Sequence, residues 1–323
     1  MKSFPLRSIV RALVLSTLAA AADAATADAP TPTCDRACLY GQLDRYLAAL
    51  KAHDPRQVPW AAQVRNTENN VALRTGDGLW GTITKLDPYE MRLADPSTGT
   101  VAVFGVVEET TERAPYATRL KVVEGRIAEV ETIVVRPSDA GIPFVNADIK
   151  PLPVWDEVLT PAQRVSRQKM IDVANGYFET LQLNDGTLKT AFTDDCDRRE
   201  DGALSTNNPA EKRYPLWALG CADQFRLGTY RYDDRLRDRR FIAVDEERGI
   251  VLAAGFIDHE GRIKQFPLTD GTVRKSNYLR PHSFALLEAF KIHGGKIRQV
   301  EAVFITVPYN MPSPWTAGSG AIP

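Results

Sequence analysis

Histidine and cysteine are both scarce here, with four of each in 323 residues. No Cys-x-x-Cys occurs, so the usual zinc ligand sets are missing and no metal site is expected. The chain also lacks a Gly-x-Ser-x-Gly nucleophile elbow, a phosphate-cradling loop ending in Lys-Ser/Thr, and a His-Glu-x-x-His pair. Those absences argue against the common hydrolase, kinase and zinc-protease designs; Gly318-Ser-Gly-Ala321 comes too late in the chain to matter. Neither sign of charge is in excess: 40 basic against 41 acidic residues leave a net charge of −1. Nothing electrostatic therefore points to nucleic acid or an anionic membrane as partner. The basic run Arg235-Leu-Arg-Asp-Arg-Arg240 is broken by an acid and reads as a solvated strand or loop edge. No apolar run is long enough for a stable membrane span. What remains, 44% hydrophobic and 25% charged, is an ordinary globular composition.

The N-terminus reads as a signal peptide over residues 1–25. Lys2, Arg7 and Arg11 precede the apolar stretch Ala12–Ala20, which runs into alanines suited to cleavage. The expected product begins near Ala25 and is exported, periplasmic or secreted. Cys34 follows Thr-Pro-Thr, so no lipobox is evident. In an exported protein four cysteines suggest disulfides, with three pairings open. Cys34–Cys38 and Cys196–Cys221 are favoured: the first would close a helix entrance, and the second would tie the start of a sheet to a later segment.

The chain repeats itself. Tyr46-Leu-Ala-Ala-Leu-Lys-Ala-His-Asp54 returns as Tyr177-Phe-Glu-Thr-Leu-Gln-Leu-Asn-Asp185. Asp95–Gly99 with Val101 and Gly105 returns as Asp245–Gly249 with Val251 and Gly255, and Gly125–Glu131 returns as Gly295–Glu301. Three matches in the same order imply one structural unit used in tandem. The expected domains are 34–137 and 162–310, joined by a Pro-rich linker at 138–161 and followed by a tail at 311–323. Residues 26–33 read as a Pro/Thr-rich leader.

Within each unit helices come first. Leu39, Leu43, Tyr46, Leu47 and Leu50 recur at helical spacing, and Thr160-Pro161 is the favoured N-cap and first position of the second unit's helix. A short helix or turn is expected after His53-Asp-Pro55, then an extended stretch Val64–Leu73, and a turn at Gly76-Asp-Gly78. β-Branched alternating segments follow: 101–107, 117–123 and 127–135 in one unit, 251–257, 283–290 and 297–307 in the other. Helices followed by a curved antiparallel sheet make an α+β layer fold with a conical cavity at its open end. Between Gly255 and Gly295 the second unit spends forty residues where the first, between Gly105 and Gly125, spends twenty. The surplus near 258–282 reads as a loop able to cover a cavity mouth.

Arg45–Asp54, its repeat at Tyr177, and Gly-[Arg/Lys]-Ile-x-x-Val-Glu before each final strand resemble the NTF2-like superfamily of cone folds, over about residues 36–136 and 163–308. Its enzyme members include ketosteroid isomerase, SnoaL-type cyclases and small dehydratases; the same fold also hosts non-catalytic modules. The resemblance implies two tandem NTF2-like cones forming a pseudo-dimer, with no cofactor. In ketosteroid isomerases a tyrosine on this helix donates to an oxyanion, an acid on the first strand shuttles the proton, and a second acid, kept protonated, lies on a later strand. By position these fall on Tyr46 and Tyr177; on Glu68 in one copy and Glu200 or Asp201 in the other; and on Thr118, which departs from an acid, and Glu288.

The chemistry stands apart from the resemblance. A carboxylate in a largely apolar cup is desolvated and can take and return a proton near neutrality, and a buried tyrosine hydroxyl stabilises developing oxyanion charge. Each candidate has a plainer alternative. Tyr46 and Tyr177 are otherwise core aromatics, Glu200 and Asp201 turn acids, and Glu68 a hydrogen-bond partner of the Gly76-Asp-Gly turn. Trp80, Trp217 and Phe225 are core or cavity wall with a substrate contact open. His259 and His282 flank the inserted loop, as cavity groups or as solvated loop residues. His53 suits the end of its helix. Glu131 and Glu301 read as scaffold, paired with Arg119 and with a partner such as Lys291; Tyr309 or Trp315 is expected to cap a neighbouring unit. The expected function is cofactor-independent acid–base catalysis (isomerase, dehydratase or retro-aldol lyase) on a hydrophobic aromatic or polycyclic small molecule, with the second copy favoured. The alternative is a non-catalytic module binding a hydrophobic ligand or a protein partner. A homo-oligomer is compatible with either.

Overall fold

Helix α1 (Arg36–Lys51) buries Leu39, Leu43, Tyr46, Leu47 and Leu50 along one face. Asp35 caps it by accepting the Cys38 N–H at 2.9 Å, and the Cys34–Cys38 disulfide closes the same turn. In this computed structural model, Met1 and residues 34–110, 112–138 and 144–316 are described. The expected signal peptide, the leader, residues 139–143 of the linker and residues 317–323 of the tail lie outside the described residues.

After α1 come β1 (Trp60–Glu68), β2 (Val71–Ala72), the short α2 (Leu79–Thr82), β3 (Ile83–Asp95), β4 (Thr100–Glu109), β5 (Arg113–Val123) and β6 (Arg126–Val134). They form one six-stranded sheet in the order β2-β1-β6-β5-β4-β3. The second half repeats the sequence of elements with α3 (Arg167–Leu183), β7 (Phe192–Glu200), β8 (Ala203–Leu204), α4 (Cys221–Arg226), β9 (Arg235–Asp245), β10 (Ile250–His259), β13 (His282–His293) and β14 (Lys296–Val307). Its sheet order, β8-β7-β14-β13-β10-β9, is that of the first sheet. The molecule is thus α+β with two six-stranded sheets, consistent with two tandem domains. The surplus chain between β10 and β13 forms a hairpin of β11 (Gln265–Pro267) and β12 (Val273–Lys275). Among the described residues no helix is long and apolar enough to cross a membrane.

Two local expectations are corrected. Thr160-Pro161 does not open the long helix: Thr160 and Gln163 close a capping box around a single 3₁₀ turn, Pro161–Gln163. Arg164 then returns to an extended conformation, and Ser166 caps α3 two residues on. Glu301 is not partnered by Lys291. Register puts Glu301 opposite Ala289 and Lys291 opposite Gln299, so Lys291 Nζ donates instead to the carbonyls of Glu157 (2.7 Å) and Arg248 (2.6 Å).

The halves are joined by reciprocal contacts at equivalent positions. Arg36 grips Asp245 with two hydrogen bonds, 2.6 and 2.7 Å, while Arg167, its counterpart, grips Asp95, the counterpart of Asp245. Each aspartate also accepts a backbone N–H from the opposite half: Asp95 from Val244, Asp245 from Ala94. Glu131 takes Arg119 from its own sheet and Arg240 from the other half, and Glu301 accepts the Tyr89 hydroxyl across the join at 2.6 Å. Trp315 of the tail lies over the Arg119 guanidinium (4.1 Å) and donates to Thr67, covering the first half's sheet.

From residue 144 on, the linker is tied down and carries a 3₁₀ turn at Pro153–Trp155. Asn146 N–H donates to the Asp201 carbonyl, and Trp155 is buried. Gly202, with φ +80°, sits where a Cβ would meet the Asn146 carbonyl oxygen at 1.8 Å, so only glycine lets the linker pass this close.

Candidate active site

The second sheet encloses a cavity of about 720 Å³, and period-two alternation explains which side chains face it. On β13 every other residue, His282, Phe284, Leu286 and Glu288, lines the wall; on β14 Ala302, Phe304 and Thr306 do; on β7 Arg198 and Glu200 do. Helix α3 adds Tyr177 and Leu181, the linker adds Phe144, and the hairpin region adds Val273, Arg274 and residues 277–280 across the mouth.

The innermost group is polar and buried. Arg198, 1% exposed, donates Nη1 to the Tyr177 hydroxyl (3.1 Å) and Nη2 to Gln224 Oε1 (2.5 Å) and to the Tyr230 hydroxyl. Its guanidinium is also 3.6 Å from the Glu200 carboxylate. The Cys196–Cys221 disulfide fastens α4 to β7, setting Gln224 against Arg198. Burial opposes the Arg198 charge, but Tyr177, Tyr230 and Glu200 around it hold its pKa well above the ordinary value.

Glu288 faces this group from β13. Burial, reinforced by the nearby Glu200 carboxylate and only partly offset by Arg198 and a Tyr177 hydrogen bond, pushes its carboxyl up to about 8. Burial likewise raises Tyr177 well above the normal phenol value. One wall therefore carries a carboxylic acid neutral at pH 7, a phenol hydroxyl, a fixed cation and a second carboxylate.

Nearer the lid lies a second cluster. His259 Nε2 is 2.8 Å from Asp233 Oδ1, and its Nδ1 is buried without a hydrogen-bond partner. The His282 ring stacks on His259 with centroids 4.5 Å apart and planes within 6°. His282 Nδ1 lies 2.8 Å from the Arg280 carbonyl, which can only accept, so that nitrogen carries the proton. Burial lowers the His282 pKa, and it raises that of Asp233 against the pull of His259.

The cavity thus brings together Tyr177, Glu200, Glu288, Trp217, His259 and His282 of the residues singled out from sequence. Asp201 is not brought there: one step past Glu200 it faces the other way, with φ +47° at the strand end, and is 0% exposed. Phe225 stands behind the wall, edge-on to Tyr177 at 5.3 Å and under Arg198 at 5.0 Å. Tyr46, Glu68 and Trp80 belong to the first half, whose core is packed. Tyr46 meets Trp80 edge-on at 5.5 Å, the arrangement that Tyr177 and Phe225 repeat. Glu68, the counterpart of Glu200, is spent on the Leu79 N–H (2.7 Å) and Arg136. Tyr116, buried, stands at the register position that Leu286 holds in the second half. Thr118, in place of Glu288, bonds Thr132.

Sequence reasoning passed over Arg198, Gln224, Tyr230 and Asp233. Arg198 sits two residues before Glu200 on a strand, and that spacing was the available signal. Among the described residues no three His, Cys, Asp or Glu side chains converge as metal ligands.

A protein-family model described as Domain of unknown function (DUF8021) matches residues 33–134 and 163–304. The chain belongs to that family. No curated protein matches it. Among solved structures, a protein of cystatin-like fold from Methylobium petroleophilum PM1 is 16% identical, with 38% of this chain and 100% of that chain covered and a TM-score of 0.28. A protein from Kribbella flavida DSM 17836 assigned as a ketosteroid isomerase is 17% identical, covering 36% of this chain and 91% of that one, TM-score 0.27. A de novo designed curved β-sheet protein is 15% identical, covering 31% and 87%, TM-score 0.27. Likeness at this level is too slight to argue from.

Proposed function

We propose that both halves are NTF2-like cones in a pseudo-dimer, and that the second half is a cofactor-independent acid–base enzyme acting on a hydrophobic small molecule. The observation that carries the reading is the convergence of Tyr177, Arg198, Glu200 and Glu288 on one buried wall of an open cavity. In the reaction, Glu200 takes a proton from a carbon or hydroxyl of the substrate. The Tyr177 hydroxyl and the neutral Glu288 carboxyl donate to the substrate oxygen on which negative charge develops, and Arg198 keeps Tyr177 aimed. Returning the proton to another carbon is an isomerisation. Deprotonating an alcohol and breaking the adjacent carbon–carbon bond releases an aldehyde and an enolate, which takes the proton back. In a dehydration, His259 protonates the departing hydroxyl, giving water, and its Asp233 partner favours that version. The two disulfides are compatible with an exported protein, and we extend the proposal to export through residues 1–25.

The test is proton exchange. Compounds that co-purify with the native protein are identified by mass spectrometry and incubated with it in D₂O. Wild type is expected to incorporate deuterium or convert the compound, and Glu200→Gln to do neither. Equal exchange by both would remove Glu200 from the chemistry. A second reading, a binding module without turnover, is favoured by the packed core of the first half, in which Tyr46, Trp80 and Tyr116 are buried together; recovery of an unexchanged, unchanged ligand would support it.

A further inference from the structure

Of the four arginines lining the cavity, two are already engaged. Arg198 is held by Tyr177, Gln224 and Glu200, and Arg213 pairs with Glu211 at 2.8 Å. The other two, Arg274 and Arg280, come from the hairpin region over the mouth, and their guanidinium groups bond to no carboxylate among the described residues. The acids facing the same space are taken as well: Glu200 lies against Arg198 and Asp233 against His259, while Glu288 holds its proton. The cavity therefore has a surplus of positive charge, and that surplus sits on its rim. Exposure marks the rim: Arg280 is exposed and Arg274 half-buried, beside Val273 and Leu279 at 64% and 59%, whereas Tyr177 at the floor is 2%.

We propose that the ligand of this cavity is an amphipathic aromatic acid, whose carboxylate or equivalent anion seats on Arg274 and Arg280 while its apolar body enters against Trp217, Phe284 and Phe304. The proposal rests on the reading of the cavity as a ligand site and adds the charge and orientation of the ligand. A guanidinium presents a planar fork that matches a carboxylate with two parallel hydrogen bonds. Seating the anion at the rim leaves the far end of the molecule at Glu200 and Glu288, and keeps its negative charge away from Glu200. It also draws the hairpin down, so that Val273 and Leu279 cover the apolar body of the ligand.

The experiment compares two fluorescent probes sharing one arene: 1-anilinonaphthalene-8-sulfonate, which is anionic, and N-phenyl-1-naphthylamine, which is neutral. Both are expected to bind the wild-type chain. In Arg274→Gln/Arg280→Gln the anionic probe should weaken about tenfold while the neutral probe stays within about twofold, and Arg274→Lys/Arg280→Lys should recover most of the loss. Added salt should weaken only the anionic probe. Leu286→Tyr, which introduces the residue the first half uses at this position, should intrude on the cavity and weaken both probes together. An anionic affinity unchanged in the Gln variant, or both affinities falling together in that variant, overturns the proposal, as does an anionic affinity that Leu286→Tyr leaves unchanged. Failure of the neutral probe to bind wild type would instead sink the ligand-site reading beneath it.

Discussion

Asp201 occupies the place in the second sheet that Asn69 occupies in the first. Both have left-handed backbones, φ 47° and 50°. Each donates its N–H across the sheet at 2.9 Å, to Ala302 and Thr132 respectively, and each accepts a strand N–H on Oδ1 at 2.9 Å, from Phe304 and Val134. Asn69 Nδ2 then donates to the Val134 carbonyl, whereas Asp201 Oδ2 is buried with no partner. Burial raises the Asp201 pKa well above the carboxylate range. The carboxyl is therefore a proton-bearing stand-in for an amide, and it shapes the strand end rather than the reaction. Asp201→Asn is expected to fold at least as stably as wild type at neutral pH. Asp201→Ala should lose about 1–3 kcal/mol in urea unfolding, because it leaves the Phe304 N–H unpaired.

Glu288 gives the stability a pH signature. The native carboxyl keeps its proton up to about pH 8, while the unfolded chain releases it near the ordinary value of 4.5. Between those two values the unfolded state binds fewer protons, so this group's contribution is fully present at low pH and is lost as pH rises through 8. Glu288→Gln should match wild type near pH 4 and exceed it by a few kcal/mol above pH 8, read as denaturation midpoints across pH.

The two tryptophans should differ in what they support. Trp80 is 4% exposed in the packed first half, and Trp80→Ala should cost about 3–5 kcal/mol. Trp217 is half-buried, stacked on Tyr214 at 4.5 Å at the cavity wall. Trp217→Ala should cost clearly less stability while weakening binding of the neutral naphthylamine probe.

Breaking Cys196–Cys221 releases α4 from β7. The pair closes a 25-residue separation, for which chain entropy gives about 3.5 kcal/mol. Cys196→Ala/Cys221→Ala should lose stability of that order. It should also raise the probe dissociation constants, since Gln224 no longer holds Arg198.

Much of the architecture was legible because the chain repeats. The Tyr46 and Tyr177 helices and the Gly125 and Gly295 turns follow from local spacing, and of the three open cysteine pairings the favoured one is found. The resemblance, matched by position, carried the later acid to Glu288. The long edge strand β3 was not legible, since Thr84, Lys85, Asp87 and Pro88 break its alternation. Arg198 was missed because arginine beside arginine and glutamate reads as a solvated edge; only the tertiary contact with Tyr177 and Gln224 accounts for its burial. Nor does the tandem motif reveal which cup is open. Equivalent positions such as Tyr116 against Leu286 and Thr118 against Glu288 look alike as pattern and differ in polarity.

The account depends on a wall that keeps one carboxyl protonated beside another at neutral pH. The direct measurement is the ¹³C-carboxyl NMR titration of glutamate-labelled protein, with Glu288→Gln assigning the resonance. A midpoint near 8 for Glu288, falling in Glu200→Gln as the neighbouring charge is removed, is the predicted result. A midpoint in the ordinary range near 4.5 would contradict it.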